Sequence, residues 1–136
     1  MNMKISRSTG YAVLAVGYIA QHKDQGIVLS QDVADAFEIP LEYLLKILQQ
    51  LVRANILHSK RGPRGGFSLA KPVSKITLLD IIEAVDGPLT SQFSLAVQGK
   101  GSKLGAQADK VYQKAIEQAR AVFAKTTIAE LLPGRK

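Results

Sequence analysis

Apolar residues along this 136-residue chain recur at two different periods, and the switch between them divides it. Residues 5–21 are dense in Ala, Val, Leu and Ile, which predicts a first helix. A polar turn follows at residues 23–26, and Ile27-Val28-Leu29 is a short apolar approach to Ser30. Ser30 reads as an N-cap whose hydroxyl accepts from a first-turn amide, with Asp32 suited to the positive helix end. Val33, Ala34 and Phe37 share one face. Ile39 precedes Pro40 and is pushed out of the helical region, so this second helix is about two turns long. Pro40 opens the next helix. Its Leu44, Ile47, Leu48, Leu51 and Val52 recur as in a helix buried on one side. Glu42, Lys46, Gln49, Gln50 and Arg53 occupy the other side, and Asn55 is a left-handed stop.

After Asn55 the period shortens. Residues 56–60 and 67–70 are strand-like runs flanking Arg61-Gly62-Pro63-Arg64-Gly65-Gly66, a Gly/Pro density that predicts a hairpin. Thr77 with Asp80 three residues on is a capping-box-like helix start. Leu78, Ile81, Ile82 and Val85 form that helix's apolar face, and Gly87-Pro88 ends it. From Thr90 to Gly105 the pattern dissolves into an exposed, mobile Gly/Lys loop. From Ala106 a long helix is expected. Ala108, Val111, Tyr112, Ala115, Ala119, Val122 and Phe123 line one stripe of it. A short element at 126–132 closes the chain.

Composition narrows the chemistry. Hydrophobic residues make up 46%, enough for a core, and the formal charge is +7. The surplus is uneven: residues 1–75 hold ten Lys and Arg against five Asp and Glu. Residues 58–75 carry Lys60, Arg61, Arg64, Lys71 and Lys75 with no acid. The first half is therefore the polyanion-binding half. The most apolar run, residues 11–20, is too short to span a bilayer and reads as a buried helix rather than a signal peptide.

There is no cysteine. Disulfides, thiol catalysis and Cys-ligated zinc or iron–sulfur centres are thereby excluded. The two histidines, His22 and His58, fall in a turn and in the hairpin, and no His-Glu-x-x-His or paired-carboxylate pattern occurs. The residue content argues against an enzyme, and no cofactor is evident.

Helix, tight turn, helix and basic hairpin across residues 30–70 suit duplex DNA. One helix fits the major groove and its neighbour fixes the angle. Arg61 and Arg64 on a glycine-rich tip suit a narrow minor groove. The same spacing also fits a helical bundle with an incidental hairpin, acting as a protein-interaction adaptor through its basic surface. A pocket enzyme or carrier is a third, remoter option. The C-terminal stripe packs either on its own domain or on a second copy.

Longer motifs add to this. Lys60-Arg61-Gly62-Pro63-Arg64-Gly65-Gly66-Phe67-Ser68-Leu69-Ala70-Lys71-Pro72 closely resembles the wing of Rrf2 transcription regulators. So does Ile76-Thr77-Leu78-Leu79-Asp80-Ile81-Ile82-Glu83-Ala84-Val85-Asp86-Gly87-Pro88. Ile5-Ser6-Arg7 with Tyr11-Ala12-Val13 is similar to the family's first helix, and Ile39-Pro40-Leu41-Glu42-Tyr43-Leu44 with Leu48 and Leu51 to its recognition helix. The resemblance runs over essentially the whole chain.

It implies a mainly α fold: a winged helix-turn-helix with a two-stranded wing and a long C-terminal dimerisation helix. Residues 1–88 would bind DNA, 89–105 form a flexible loop at the family's sensor position, and 106–136 hold the dimerisation helix and tail. A cytoplasmic homodimer would bind a pseudo-palindromic operator, usually to repress. By position, Ser30 and Gln31 would anchor phosphates. Leu41, Glu42, Tyr43, Leu45, Lys46 and Gln49 would face the major groove or its rim. Arg61 would enter the minor groove, with Ser59, Arg64 and Gly65 near the backbone. Val111, Tyr112, Ala115, Ala119, Val122 and Phe123 would pair two copies. Many members hold an iron–sulfur cluster on cysteines between the Gly-Pro and the long helix. Here residues 89–106 offer Ser91, Ser94 and Ser102 but neither Cys nor His, so the chain would either sense a small molecule or a partner protein, as some relatives do, or be a version of a cluster-holding member with its cysteines replaced.

Overall fold

The computed structural model describes residues 5–62, 65–90 and 94–133. Helix α1 (Arg7–Gln21) starts two residues later than its apolar pattern, because Ser6 caps it: the Thr9 N–H donates to Ser6 Oγ at 3.2 Å. Its Ala12, Ala15, Val16 and Ile19 are buried on one stripe and form the centre of the core. Helix α2 (Ser30–Phe37) and helix α3 (Leu41–Arg53) pack against it.

The expected Ser30 cap is corrected. Leu29 is the N-cap of α2, with extended backbone and no side-chain cap bond, and Ser30 is the first helical residue. The Leu29 carbonyl already accepts from the Asp32 and Val33 amides, so the helix begins one residue earlier than a Ser30 cap would start it. The turn into α3 is tight. Glu38 is left-handed at φ 55°, Ile39 is buried, and Pro40 (φ −56°) caps α3.

Helix α3 buries Leu44, Ile47, Leu48 and Leu51. Its end is a double-bonded left-handed stop: the Asn55 N–H donates to the Val52 carbonyl and the Ile56 N–H to the Leu51 carbonyl, both at 3.0 Å. Asn55 sits at φ 62°, as its short polar side chain tolerates. Strands β1 (Leu57–Lys60) and β2 (Gly66–Leu69) follow as an antiparallel hairpin in the register Leu57 to Leu69 and Lys60 to Gly66. Helix α4 (Leu78–Asp86) starts with the predicted capping box, Thr77 and Asp80 bonding each other's backbone at 3.0 Å.

The segment expected as a loop holds structure. Helix α5 (Leu95–Gln98) is one turn, and helix α6 (Lys103–Lys125) begins at Lys103 rather than Ala106. Ser94 and Ser102 cap the two helices through Val97 N–H and Gly105 N–H. Gly99 and Gly105 let them touch: a Cβ on Gly105 would come within 2.7 Å of the Leu95 carbonyl oxygen. Periodicity misses this contact because what makes it is the absence of side chains.

Helix α7 (Ile128–Leu131) is bonded back to the lead of α4. The Leu78 N–H donates to the Thr126 carbonyl at 2.9 Å, and the Ile128 N–H to the Ile76 carbonyl at 2.8 Å. Ile128 is buried in the same core as α1 and α3, so the end of the chain helps to build the first domain. Among the described residues no helix is long and apolar enough to cross a membrane.

Candidate nucleic-acid interface

The buried stripe of α3 fixes what its other side presents. Glu42, Lys46, Gln49 and Arg53 are exposed and form an outward ridge. Beside this ridge lies a cleft of about 340 Å³ bordered by Ser30 and Gln31 from α2, Gln49 from α3, and Ser59, Arg61 and Gly65 from the hairpin. Lys60, named from sequence only as part of the basic stretch and not among the contact residues, also borders it, and no acidic residue does among the described residues. The start of α2 contributes first-turn amides with no side-chain cap, at the positive end of the helix dipole.

Backbone geometry holds the hairpin in this place. Val28, two residues before α2, exchanges both backbone hydrogen bonds with Phe67 of β2 at 2.8 Å each. The turn is closed by the Gly65 N–H donating to the Gly62 carbonyl at 2.8 Å. Gly62 lies at φ 106°, a region that favours glycine. Gly65 packs against the backbone of Lys60 so closely that a side chain there would collide.

Most residues selected from sequence meet on this one surface, with three differences. Leu41 and Leu45 are half-buried and pack at the edge of the core. Gln31 is tied along its own helix, donating from Nε2 to Asp35 Oδ1 at 2.8 Å. Tyr43 turns toward α1, its hydroxyl bonded to Ser8 and its ring edge-on to Tyr11 with centroids 5.6 Å apart. Arg64 lies outside the described residues. Lys46 and Arg61 are both exposed, and Gln49 borders both their clefts. Sequence reading placed Arg53 on the outward side of α3 without assigning it to the interface, and passed over Ser8. Arg53 is seven residues beyond Lys46 on the same helix face, a legible signal. Ser8 meets Tyr43 across 35 residues of sequence, which no local pattern announces.

Helix α6 carries two apolar faces rather than one. Ile116 is buried against its own chain, and Phe123 is half-buried in a groove with Leu78, Ile82 and Leu131. Val111 and Val122 are 66% and 61% exposed, and Ala115 between them is exposed too. Tyr112 stands at the border and Ala119 is half-buried. Of the expected dimerisation stripe, then, Val111, Ala115 and Val122 form the uncovered part.

At the sensor position the residues do not fit a thiolate-ligated cluster. Ser94 and Ser102 are occupied as helix caps, and their hydroxyls are poor ligands for iron beside thiolates. Asp109 accepts from the Leu95 N–H at 2.9 Å. Glu83 accepts from the Leu89 N–H at 2.9 Å and is paired with Arg120. Among the described residues no group of three or more His, Cys, Asp or Glu converges on a metal-sized space.

Comparison with known proteins agrees with this geometry. Residues 5–134 match the family model described as Rrf2, iron-dependent transcriptional regulator. An HTH-type transcriptional regulator of Aquifex aeolicus is 34% identical over 133 residues, covering 96% of this chain and 92% of that one. The solved structure of CymR, the global cysteine regulator of B. subtilis, superposes with a TM-score of 0.80 at 22% identity, covering 96% of both chains. T. potens IscR superposes with a TM-score of 0.72 at 27% identity, covering 96% of this chain and 87% of its own. With α3 and its hairpin in a winged-helix fold, the chain belongs to the Rrf2 family of DNA-binding, helix-turn-helix regulators of transcription.

Proposed function

We propose that the chain binds a roughly two-fold operator as a homodimer in the cytoplasm and represses the genes it covers. In this reading α3 lies in the major groove, with Lys46 and Gln49 at base edges and Glu42 a potential acceptor for a cytosine amine. Ser30, Gln31, Ser59 and Gly65 sit against phosphates, and Arg61 enters the minor groove. The observation that carries this reading is the cleft bordered by the start of α2, Gln49 and Arg61, which no acid lines among the described residues. The uncovered α6 face supports pairing, because a homodimer lets a small reader contact two half-sites. With no thiolate ligands available, the signal is a small molecule or a partner protein rather than a Cys-bound cluster.

Selection from a random duplex library followed by gel shift tests the reading. The selected duplex is expected to bind far more tightly than random duplex at physiological salt, with affinity falling steeply as salt rises. Arg61→Ala should weaken binding most on A·T-rich flanks. Equal binding to all duplexes would instead favour an adaptor with a basic surface.

A further inference from the structure

A second cleft, of about 550 Å³, lies on the α1 side of the α3 ridge, away from the wing. Ser8, Tyr43, Lys46, Gln50 and Arg53 border it. Lys46 and Arg53 are exposed there, and among the described residues neither forms an ion pair. Among the described residues no acid lines the cleft, and Glu42 borders neither cleft.

The polar groups in it are donors with capacity to spare. The Ser8 and Tyr43 hydroxyls are bonded to each other. Whichever donates, the accepting hydroxyl keeps its own proton for an outside acceptor. The Gln50 amide is engaged, donating to the Val85 carbonyl at 3.3 Å, which positions it as a wall rather than a contact. Gln49 borders both clefts, so the two lie on either side of one ridge.

Groove dimensions give this arrangement a meaning. A helix with its side chains is about 10–12 Å across, and the major groove about 12 Å wide. A helix seated in the groove therefore has a phosphate backbone along each flank. The wing-side cleft accounts for one strand only.

We propose, resting on the duplex-binding reading above, that Ser8, Tyr43 and Arg53 form a second backbone seat that grips the opposite strand of each half-site. Tyr43 then serves the duplex through its hydroxyl rather than by reading a base. The seat fixes the register of α3 and carries no sequence preference of its own, as phosphate contacts do.

The test measures binding of the full chain to a selected duplex and to random duplex across a salt series. Arg53→Gln is expected to weaken both several-fold, leave their ratio unchanged and reduce the log–log salt slope by about one. Arg53→Lys should keep the wild-type slope, because the charge is retained. Tyr43→Phe should weaken both duplexes alike while keeping the ring packed on Tyr11. Phosphate ethylation should interfere on both strands of each half-site for the wild type, and on one strand less for Arg53→Gln. An unchanged salt slope in Arg53→Gln, with Arg61→Ala still impaired, would overturn the second seat and leave the duplex-binding reading standing. A wild type that does not distinguish selected from random duplex would overturn that reading, and the seat with it.

Discussion

Val28 and Phe67 exchange both of their backbone hydrogen bonds, and this one pair ties the lead of α2 to the inner strand of the wing. Both side chains are also buried in the core. Ser30 lies two residues beyond Val28, and Gly66 immediately precedes Phe67. The pair therefore sets how far the uncapped start of α2 stands from the wing tip, and so how wide the cleft between them is.

Gly66 is the residue this junction tolerates least well when changed. A Cβ there would come within 2.5 Å of the Val28 carbonyl oxygen, which is backbone and cannot swing aside. Gly66→Ala is expected to destabilise the fold by about 1–3 kcal/mol, as overpacking does. Binding to duplex should fall more than the folded fraction does, because the wing must move. Thermal unfolding paired with titration of a selected duplex measures both effects. Unchanged stability and affinity would mean that the junction yields freely.

How much of this could be read from residues alone depended on whether the cause was local. Thr77 and Asp80 announce their helix by spacing, and Asn55 announces its stop by its side chain. Pro40 limits α2 by restricting Ile39. The bonds from Val28 to Phe67 and from Ser8 to Tyr43 link distant segments through backbone or single hydroxyls, which hydrophobic periodicity does not register. The α5–α6 junction was opaque for a related reason. Glycines look like a loop until their bare backbones are seen packed together. The α6 stripe was legible as apolar, but it left out Ile116, the residue that faces inward, and included Val111, which faces out.

Thr77 tests the division between fold and interface. Its hydroxyl accepts from the Asp80 N–H at 3.0 Å, and neither residue borders the wing-side or the α1-side cleft. Thr77→Ala is expected to cost about 1 kcal/mol of stability, the usual loss of an N-cap. Duplex affinity per folded molecule should be unchanged. Denaturant titration and gel shift on the same preparation check this, and a specific loss of affinity would mean that α4 is coupled to the recognition surface.

Asn55 offers a change in the opposite direction. At φ 62° it occupies the left-handed position that closes α3. Asn55→Gly should be neutral or slightly stabilising, because glycine reaches this region without a Cβ penalty. Asn55→Ala should destabilise by about 1 kcal/mol, since a Cβ without a compensating polar group is disfavoured there. Unfolding free energies in the order Gly, Asn, Ala would bear out the cap, and Ala matching Asn would show that the left-handed geometry contributes nothing.

The uncovered face of α6 makes the sharpest prediction about assembly. Val111 and Val122 are more than half exposed in the single chain, so a charge at either position costs the isolated fold little. If two copies pair through this face, the same charge is buried without a partner at the interface, which is strongly unfavourable. Val122→Glu is therefore expected to leave the helical content of the chain intact and to shift its mass in sedimentation toward that of one chain. Affinity for a two-fold duplex should drop toward that for a single half-site, because the second contact is no longer joined to the first. Ile116→Glu serves as the contrast. Ile116 is buried within the chain, so that substitution should lower the unfolding temperature directly. A Val122→Glu protein that keeps the wild-type mass and affinity would show that the chains associate through another surface.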